Sequence, residues 1–294
     1  KAASAFDLIV SATAVYGGSW MEGSGAVFAE NEVLAFLARE FGLPDSAGGV
    51  VVQGGTIGNL SALVAARDHS ARRLAERGVP RPERWVVIAS KEAHSSIASA
   101  ARVMDVDIVK VPVDDTGALH GEQVRLALAE HGDAVVAVVA TGGSTNFGIV
   151  DDIASIAALK DEFDVWLHVD GAYGLAAALA PSARHRFAGI ERADSLIVDP
   201  HKWLFTPFDA CVLLYRDPAV ARAAHTQHAE YLDTLTDRDE WSPSDYSIQL
   251  TRRPRGLPLW FSLATFGAQA YRDAVEDSLS LAQQVAEEIR RRPE

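Results

Sequence analysis

The chain has 294 residues, a formal net charge of −13, 48% hydrophobic residues and a single cysteine, Cys211. That length accommodates one large α/β domain or two smaller ones, and the negative charge argues against nucleic acid or an anionic membrane as a partner. One cysteine cannot close an internal disulfide, which fits a reducing, cytoplasmic compartment, and no apolar run approaches the ~20 residues of a membrane span.

Taken in chain order, residues Glu30 to Phe41 place Val33, Leu34, Phe36, Leu37 and Phe41 at helical spacing and stop at Gly42. Short β-branched runs follow: Val50 to Val52, Trp85 to Ile88, Ile108 to Val111, Ala134 to Ala140, Trp166 to Val169, Leu196 to Val198 and Val212 to Leu214. Helical patterns lie between most of them, over Asn59 to Arg77, His94 to Val103, Glu122 to His131 and Asp151 to Asp161. Strands alternating with helices predict a largely parallel sheet covered on both faces. The last strand follows its neighbour by a short loop, so one antiparallel strand is expected. The polar stretch from Thr234 to Ser247 reads as a mobile loop, and the tail from Leu257 onward is helical. The chain opens without Met and closes inside a charged helical pattern, Ala282 to Arg292, which reads as a fragment of something longer. The expected division is a helical segment over 1–45, a sheet-bearing domain over 46–256, and the start of a further region over 257–294.

Ligands of open parallel sheets sit at the carboxyl ends of the strands, and the chemistry-bearing residues of this chain cluster there. Gln53-Gly54-Gly55-Thr56-Ile57-Gly58-Asn59 joins a strand to a helix, a place where free N–H groups and the helix dipole favour an anion. It is neither a Walker loop nor a G-x-G-x-x-G fingerprint, and a plain tight turn accounts for it equally well. His94 offers a flat ring for stacking, or caps a helix. Thr141-Gly142-Gly143-Ser144-Thr145 offers small hydroxyl groups, or is a polar turn. Asp170 closes the apolar run Val165 to Val169 and is followed by the small Gly171-Ala172. With His168 it would supply only two metal ligands, and no metal site is expected. Lys202, in Asp199-Pro200-His201-Lys202-Trp203, stands in an unusually apolar and constrained setting for a lysine. A lysine and an aspartate, each at the end of a buried strand, are what pyridoxal phosphate requires: an amine for a Schiff base and a carboxylate that keeps the pyridine nitrogen protonated, so that the ring acts as an electron sink.

His168-Val169-Asp170-Gly171-Ala172-Tyr173, together with Asp199-Pro200-His201-Lys202-Trp203, closely resembles the group II pyridoxal-phosphate-dependent amino-acid decarboxylases, the family of aromatic-amino-acid and glutamate decarboxylases. The order of glycine turn, Ala93-His94-Ser95-Ser96, Thr141-Gly142-Gly143-Ser144, aspartate and lysine is also the family's. The resemblance implies the fold-type-I architecture of the aspartate aminotransferase type, with a mostly parallel seven-stranded sheet and helices on both faces. It further implies pyridoxal 5'-phosphate as cofactor and decarboxylation of an amino acid to its amine. Carried over residue by residue, it gives Lys202 the covalent link, Asp170 the ring nitrogen, and His94 the ring face. Gly55, Thr56 and His201 take the phosphate with Asp199 close by, and Ser144 and Ala172 line the ring. Tyr231 becomes the proton donor to the carbanion, and Arg252 a weaker candidate for substrate contact. Pro254 and Pro258, near Arg252, depart from many relatives. The resemblance also implies a homodimer. A lyase or decarboxylating aldehyde synthase on the same fold, and a non-catalytic binding protein, are the competing readings.

Overall fold

In the computed structural model, residues 2–227 and 240–292 are described. Helix α1 (Ala2–Thr13) and α2 (Trp20–Glu40) lead into β1 (Gly48–Val52), α3 (Gly55–Glu76), β2 (Val86–Ser90), α4 (Ser95–Val103) and β3 (Asp107–Val111). Then come α5 (Gly121–His131), β4 (Val135–Thr141), α6 (Ile153–Ala158), β5 (Trp166–Asp170) and β6 (Ser195–Val198). The short α7 (Pro200–Trp203), β7 (Cys211–Tyr215), α8 (Pro218–His225) and α9 (Leu257–Arg291, broken at Gly267) complete the described chain.

The seven strands form one sheet in the order β1-β7-β6-β5-β4-β2-β3, and β7 alone runs antiparallel to its neighbours. This is the mostly parallel seven-stranded sheet that the alternation implied. Every residue of β1, β2, β4, β5, β6 and β7 is buried, and only the edge strand β3 is largely open. Alternation along each strand divides the core in two: Val51 and Ile88 face the layer of α2, α5 and α6, while Val50, Val52, Val87 and Ala89 face α3, α4 and α8. Gly58 lets α3 lie close to the sheet. A Cβ there would stand 2.9 Å from Ile197 Cγ2 and 3.0 Å from Cys211 Sγ.

Two elements begin earlier than their hydrophobic periodicity suggests. Helix α2 starts at Trp20 rather than Glu30 because Ser19 caps it: the Ser19 hydroxyl accepts from the Glu22 N–H and bonds to the Glu22 carboxylate at 2.7 Å. Helix α3 starts at Gly55 rather than Asn59, so the glycine turn is itself the first turn of the helix. The stretch read as a mobile loop behaves differently where it is described. Ser242, Ser244, Asp245, Tyr246 and Ser247 are buried, Trp241 stacks on Tyr246 at 4.0 Å, and the Trp241 indole N–H donates to Gly49 O. Aromatic burial outweighs the polar composition there.

A buried ion pair ties α2 to the segment before α9. Arg252 stands 2.7 Å from Glu30, and both side chains are almost wholly shielded. Arg252 also donates to Val51 O and Gly17 O, and Glu30 accepts from the Gly256 N–H. Arg252, read from the sequence as a weaker candidate for substrate contact, is held here by scaffold partners and does not line the cavity described below. Breaking the pair leaves a buried charge alone, so Arg252→Ala is expected to lower unfolding stability by about 3–5 kcal/mol in a urea titration. On the surface, His120 lies 2.9 Å from Asp114 and 3.3 Å from Asp152. Its hydrogen bond to Asp114 raises its pKa above the ordinary 6.5. A raised folded pKa stabilises fully below the unfolded value and is lost as pH rises through the folded one. The stability difference between wild type and His120→Gln is therefore expected to be larger at about pH 5.5 than at about pH 9, read from paired urea titrations.

Candidate active site

Parallel registration brings residues far apart in sequence to one edge. Thr141 pairs with Asp170 across β4 and β5, Asp170 with Ile197 across β5 and β6, and Val52 with Cys211 across β1 and β7. The segments following β1, β2, β4, β5 and β6 open at this carboxyl edge and surround a cavity of about 410 Å³. Gly55, Thr56, His94, Asp170, Ala172, Asp199, His201 and Lys202 all line it. The sequence brings them from four separate segments.

Each wall has a local cause. Gly54 caps α3 without a side-chain hydrogen bond, so the first N–H groups of a 22-residue helix lack intrahelical acceptors and face an anion site with a favourable dipole. Thr56 adds a hydroxyl there. Gly55 keeps the wall thin, since a Cβ would stand 3.1 Å from Asp199 Oδ2 and 3.4 Å from Ala172 Cβ. After β6, Asp199-Pro200 opens the single turn of α7, with proline at a position where its missing N–H costs nothing. That turn presents His201 and Lys202. The His201 ring tilts over Phe208 and its Nδ1 lies 2.7 Å from Ala210 O, which leaves Nε2 toward Asp199 Oδ2 at 3.6 Å. Lys202 Nζ lies 2.9 Å from Asp199 Oδ2, with its side chain 39% exposed against 2% for the aspartate.

Asp170 is buried, and its oxygens accept from Asn59 Nδ2 at 2.9 Å and from the Ala172 N–H at 3.2 Å. Among the described residues no cation stands within ion-pair distance of it. His94 caps α4, its Nδ1 accepting from the Ser96 N–H at 3.2 Å. Tyr173 lines the cavity and stacks on Trp203 at 5.6 Å.

Ser144 is not brought to the cavity. Its hydroxyl accepts from the Ile149 N–H and its own N–H donates to Ile149 O, closing the turn after β4, while its neighbours Gly143 and Thr145 do line the space. Tyr231 lies outside the described residues. Asn59, Ser96 and Tyr173 carry structural weight that the motif reading did not give them. Asn59 had a legible signal: it falls on the sheet-facing side of α3 among Ala62, Leu63 and Ala66, where a buried amide must find partners.

The residues fit pyridoxal phosphate. An uncompensated carboxylate suits a protonated pyridine nitrogen, the open helix N-terminus with Thr56 and His201 suits a phosphate, and Lys202 suits an aldehyde.

Comparison with known proteins points the same way. The chain is 34% identical over 287 residues to an aromatic-L-amino-acid decarboxylase of Bacillus atrophaeus, covering 95% of this chain and 58% of that protein. It is 30% identical over 292 residues to a phenylacetaldehyde synthase of a Rosa hybrid cultivar, covering 94% and 57%. The crystal structure of Oryza sativa TDC with PLP and tryptamine superposes with a TM-score of 0.85 at 32% identity, covering 92% of this chain and 59% of that one. The chain thus spans somewhat over half the length of these relatives. The family model of the pyridoxal-dependent decarboxylase conserved domain matches residues 5–294, and the chain belongs to that family.

Proposed function

We propose that the protein removes the α-carboxylate of an L-amino acid with an aromatic side chain, releasing CO₂ and the amine. The observation that carries the reading is the convergence of Lys202 and Asp170 on one cavity with the open N-terminus of α3. The aromatic class is supported by Tyr173, stacked on Trp203 beside the cavity, and by the named activity of the Bacillus atrophaeus relative. Residues 46–256 act as the cofactor-holding domain, flanked by 1–45 and 257–294. The further reading of a cytoplasmic homodimer rests on family resemblance, and size exclusion and cell fractionation of the full-length protein test it.

Bound pyridoxal phosphate supplies the electron sink for the pair left when the Cα–carboxylate bond breaks. The negative charge of Asp170 holds a proton at the ring nitrogen. The N–H groups opening α3, Thr56 and His201 hold the phosphate, and His94 covers a ring face. Lys202 would hold the cofactor covalently through its amine, and Asp199, 2.9 Å from that amine, would hold it as an ammonium when it is free. Tyr231, on sequence resemblance, returns a proton to Cα.

With pyridoxal phosphate present, full-length protein is expected to release CO₂ from at least one of tryptophan, tyrosine, phenylalanine or 3,4-dihydroxyphenylalanine, and not from glutamate. Lys202→Ala is expected to lose the visible absorbance of the bound cofactor and at least about a thousandfold in rate, roughly 4 kcal/mol of barrier. Absence of CO₂ from every amino acid tested would sink the reading.

The phenylacetaldehyde synthase relative keeps a second outcome open. In that chemistry the amino acid, O₂ and water give aldehyde, CO₂, ammonia and H₂O₂. Amine is the expected product here, because position 231 is tyrosine. Tyr231→Phe is expected to shift products from amine toward aldehyde, with oxygen consumption rising on an oxygen electrode. Aldehyde as the main product of the wild type would overturn the assignment of Tyr231.

A further inference from the structure

A chain of buried polar groups runs behind the cavity wall. Trp166 Nε1 donates to Ser195 Oγ at 2.8 Å, Ser195 Oγ lies 2.8 Å from His168 Nδ1, and His168 Nε2 lies 2.8 Å from Asn59 Oδ1. Asn59 Nδ2 donates to both Asp170 Oδ2 and Ser96 Oγ at 2.9 Å, and Ser96 Oγ lies 2.8 Å from His94 Nδ1. His168, Asn59 and Ser195 are at most 1% exposed.

The chemistry of the ends sets the direction of every bond between them. An indole N–H only donates and a carboxylate only accepts. Asn59 cannot reverse its amide without turning Oδ1 toward the Asp170 carboxylate, so Oδ1 faces His168, and His168 Nε2 carries the hydrogen. His168 Nδ1 then accepts from the Ser195 hydroxyl, whose oxygen accepts from Trp166. On the other branch, Ser96 Oγ accepts from Asn59 and lies beside His94 Nδ1, which accepts from the Ser96 N–H at the start of α4, so the imidazole proton of neutral His94 sits on Nε2. Protonation of His168 would set an N–H against Ser195 Oγ and end the serine's donation to Nδ1 in a buried place, a costly outcome. Burial also pushes the His168 pKa down to about 4, against the pull of the Asp170 charge.

We propose that Asn59 and His168 are positioning residues for the cofactor: Asn59 holds Asp170 with a neutral N–H dipole, His168 orients Asn59, and together they keep the Asp170 charge free for the pyridine nitrogen. An imidazolium at position 168 would compete with the ring nitrogen for that carboxylate. A neutral imidazole orients Asn59 and adds no charge. The proposal rests on the reading of Asp170 as partner of the ring nitrogen.

The test is ¹⁵N-histidine NMR of the full-length protein, with and without pyridoxal phosphate, from about pH 5.5 to 8, together with cofactor titrations of the variants Asn59→Ala and His168→Phe. His168 is expected to stay neutral, with hydrogen on Nε2, across the whole range. Loss of a hydrogen bond to a charged group predicts a rise of roughly ten- to a hundredfold in the cofactor dissociation constant of Asn59→Ala. The bound cofactor's absorbance is expected to move toward the form with an unprotonated ring nitrogen in both variants, and kcat to fall more than KM changes. A His168 that titrates within the range, or carries its hydrogen on Nδ1, overturns the proposal even if the variants fail to fold. Folded variants with wild-type cofactor affinity and spectrum also overturn it. Wild-type protein that binds no pyridoxal phosphate removes the functional reading and this proposal together, whereas cofactor binding with a titrating His168 removes this proposal alone.

Discussion

A carboxylate buried at the end of a fully covered strand is the constraint from which the rest of the site follows. Asp170 closes β5, a strand buried along its whole length. Isolated in such surroundings an ionised carboxylate is very costly, so its neighbours must compensate or its charge must be used. Here Asn59 and the Ala172 backbone supply hydrogen bonds. Hydrogen bonds lower the cost without cancelling the charge. The arrangement is therefore incomplete in electrostatic terms, and the partner we propose for it is a cationic ring nitrogen.

The second acidic group of the site is handled differently. Asp199 is as buried as Asp170, yet it already has Lys202 Nζ at 2.9 Å and His201 Nε2 at 3.6 Å. One carboxylate is left for a ligand and the other is occupied by the chain's own lysine, with a histidine nearby. A third buried acid, Glu30, is paired outright with Arg252 and serves the scaffold, joining α2 to the segment that leads into α9. Burial by itself does not distinguish these roles; the identity of the partner does.

The fold enters through registration. A parallel sheet aligns the carboxyl ends of β1, β2, β4, β5 and β6, so segments more than a hundred residues apart along the chain meet without any long loop. The helices supply what strands cannot. Helix α3 aims its N-terminus at the cavity and, one turn later, sends Asn59 down to the strand ends, so one element serves both the anion site and the support of Asp170. Gly58 between them permits the close approach that makes both contacts reachable.

Much of this was legible in the residues themselves. Strand positions and the single reversed strand follow from local patterns, because apolar β-branched runs and the polar residues that end them are short-range features, while the grouping of Gly55, Thr56, His94, Asp170, Ala172, Asp199, His201 and Lys202 came from the resemblance of their motifs to one family. The Ser19-to-Glu22 cap of α2 was also readable, although the glycines beside it obscured the helix. Tertiary structure alone decided where long side chains end. Arg252, polar and near the right place in sequence, turns inward to Glu30. Ser144 spends its hydroxyl on its own turn. Asn59, unremarkable in a helix, becomes the link between His168 and Asp170. The side-chain pattern of one segment states what it can bury and where it can turn. Which donor meets which acceptor across the sheet depends on registration between segments that no local pattern contains.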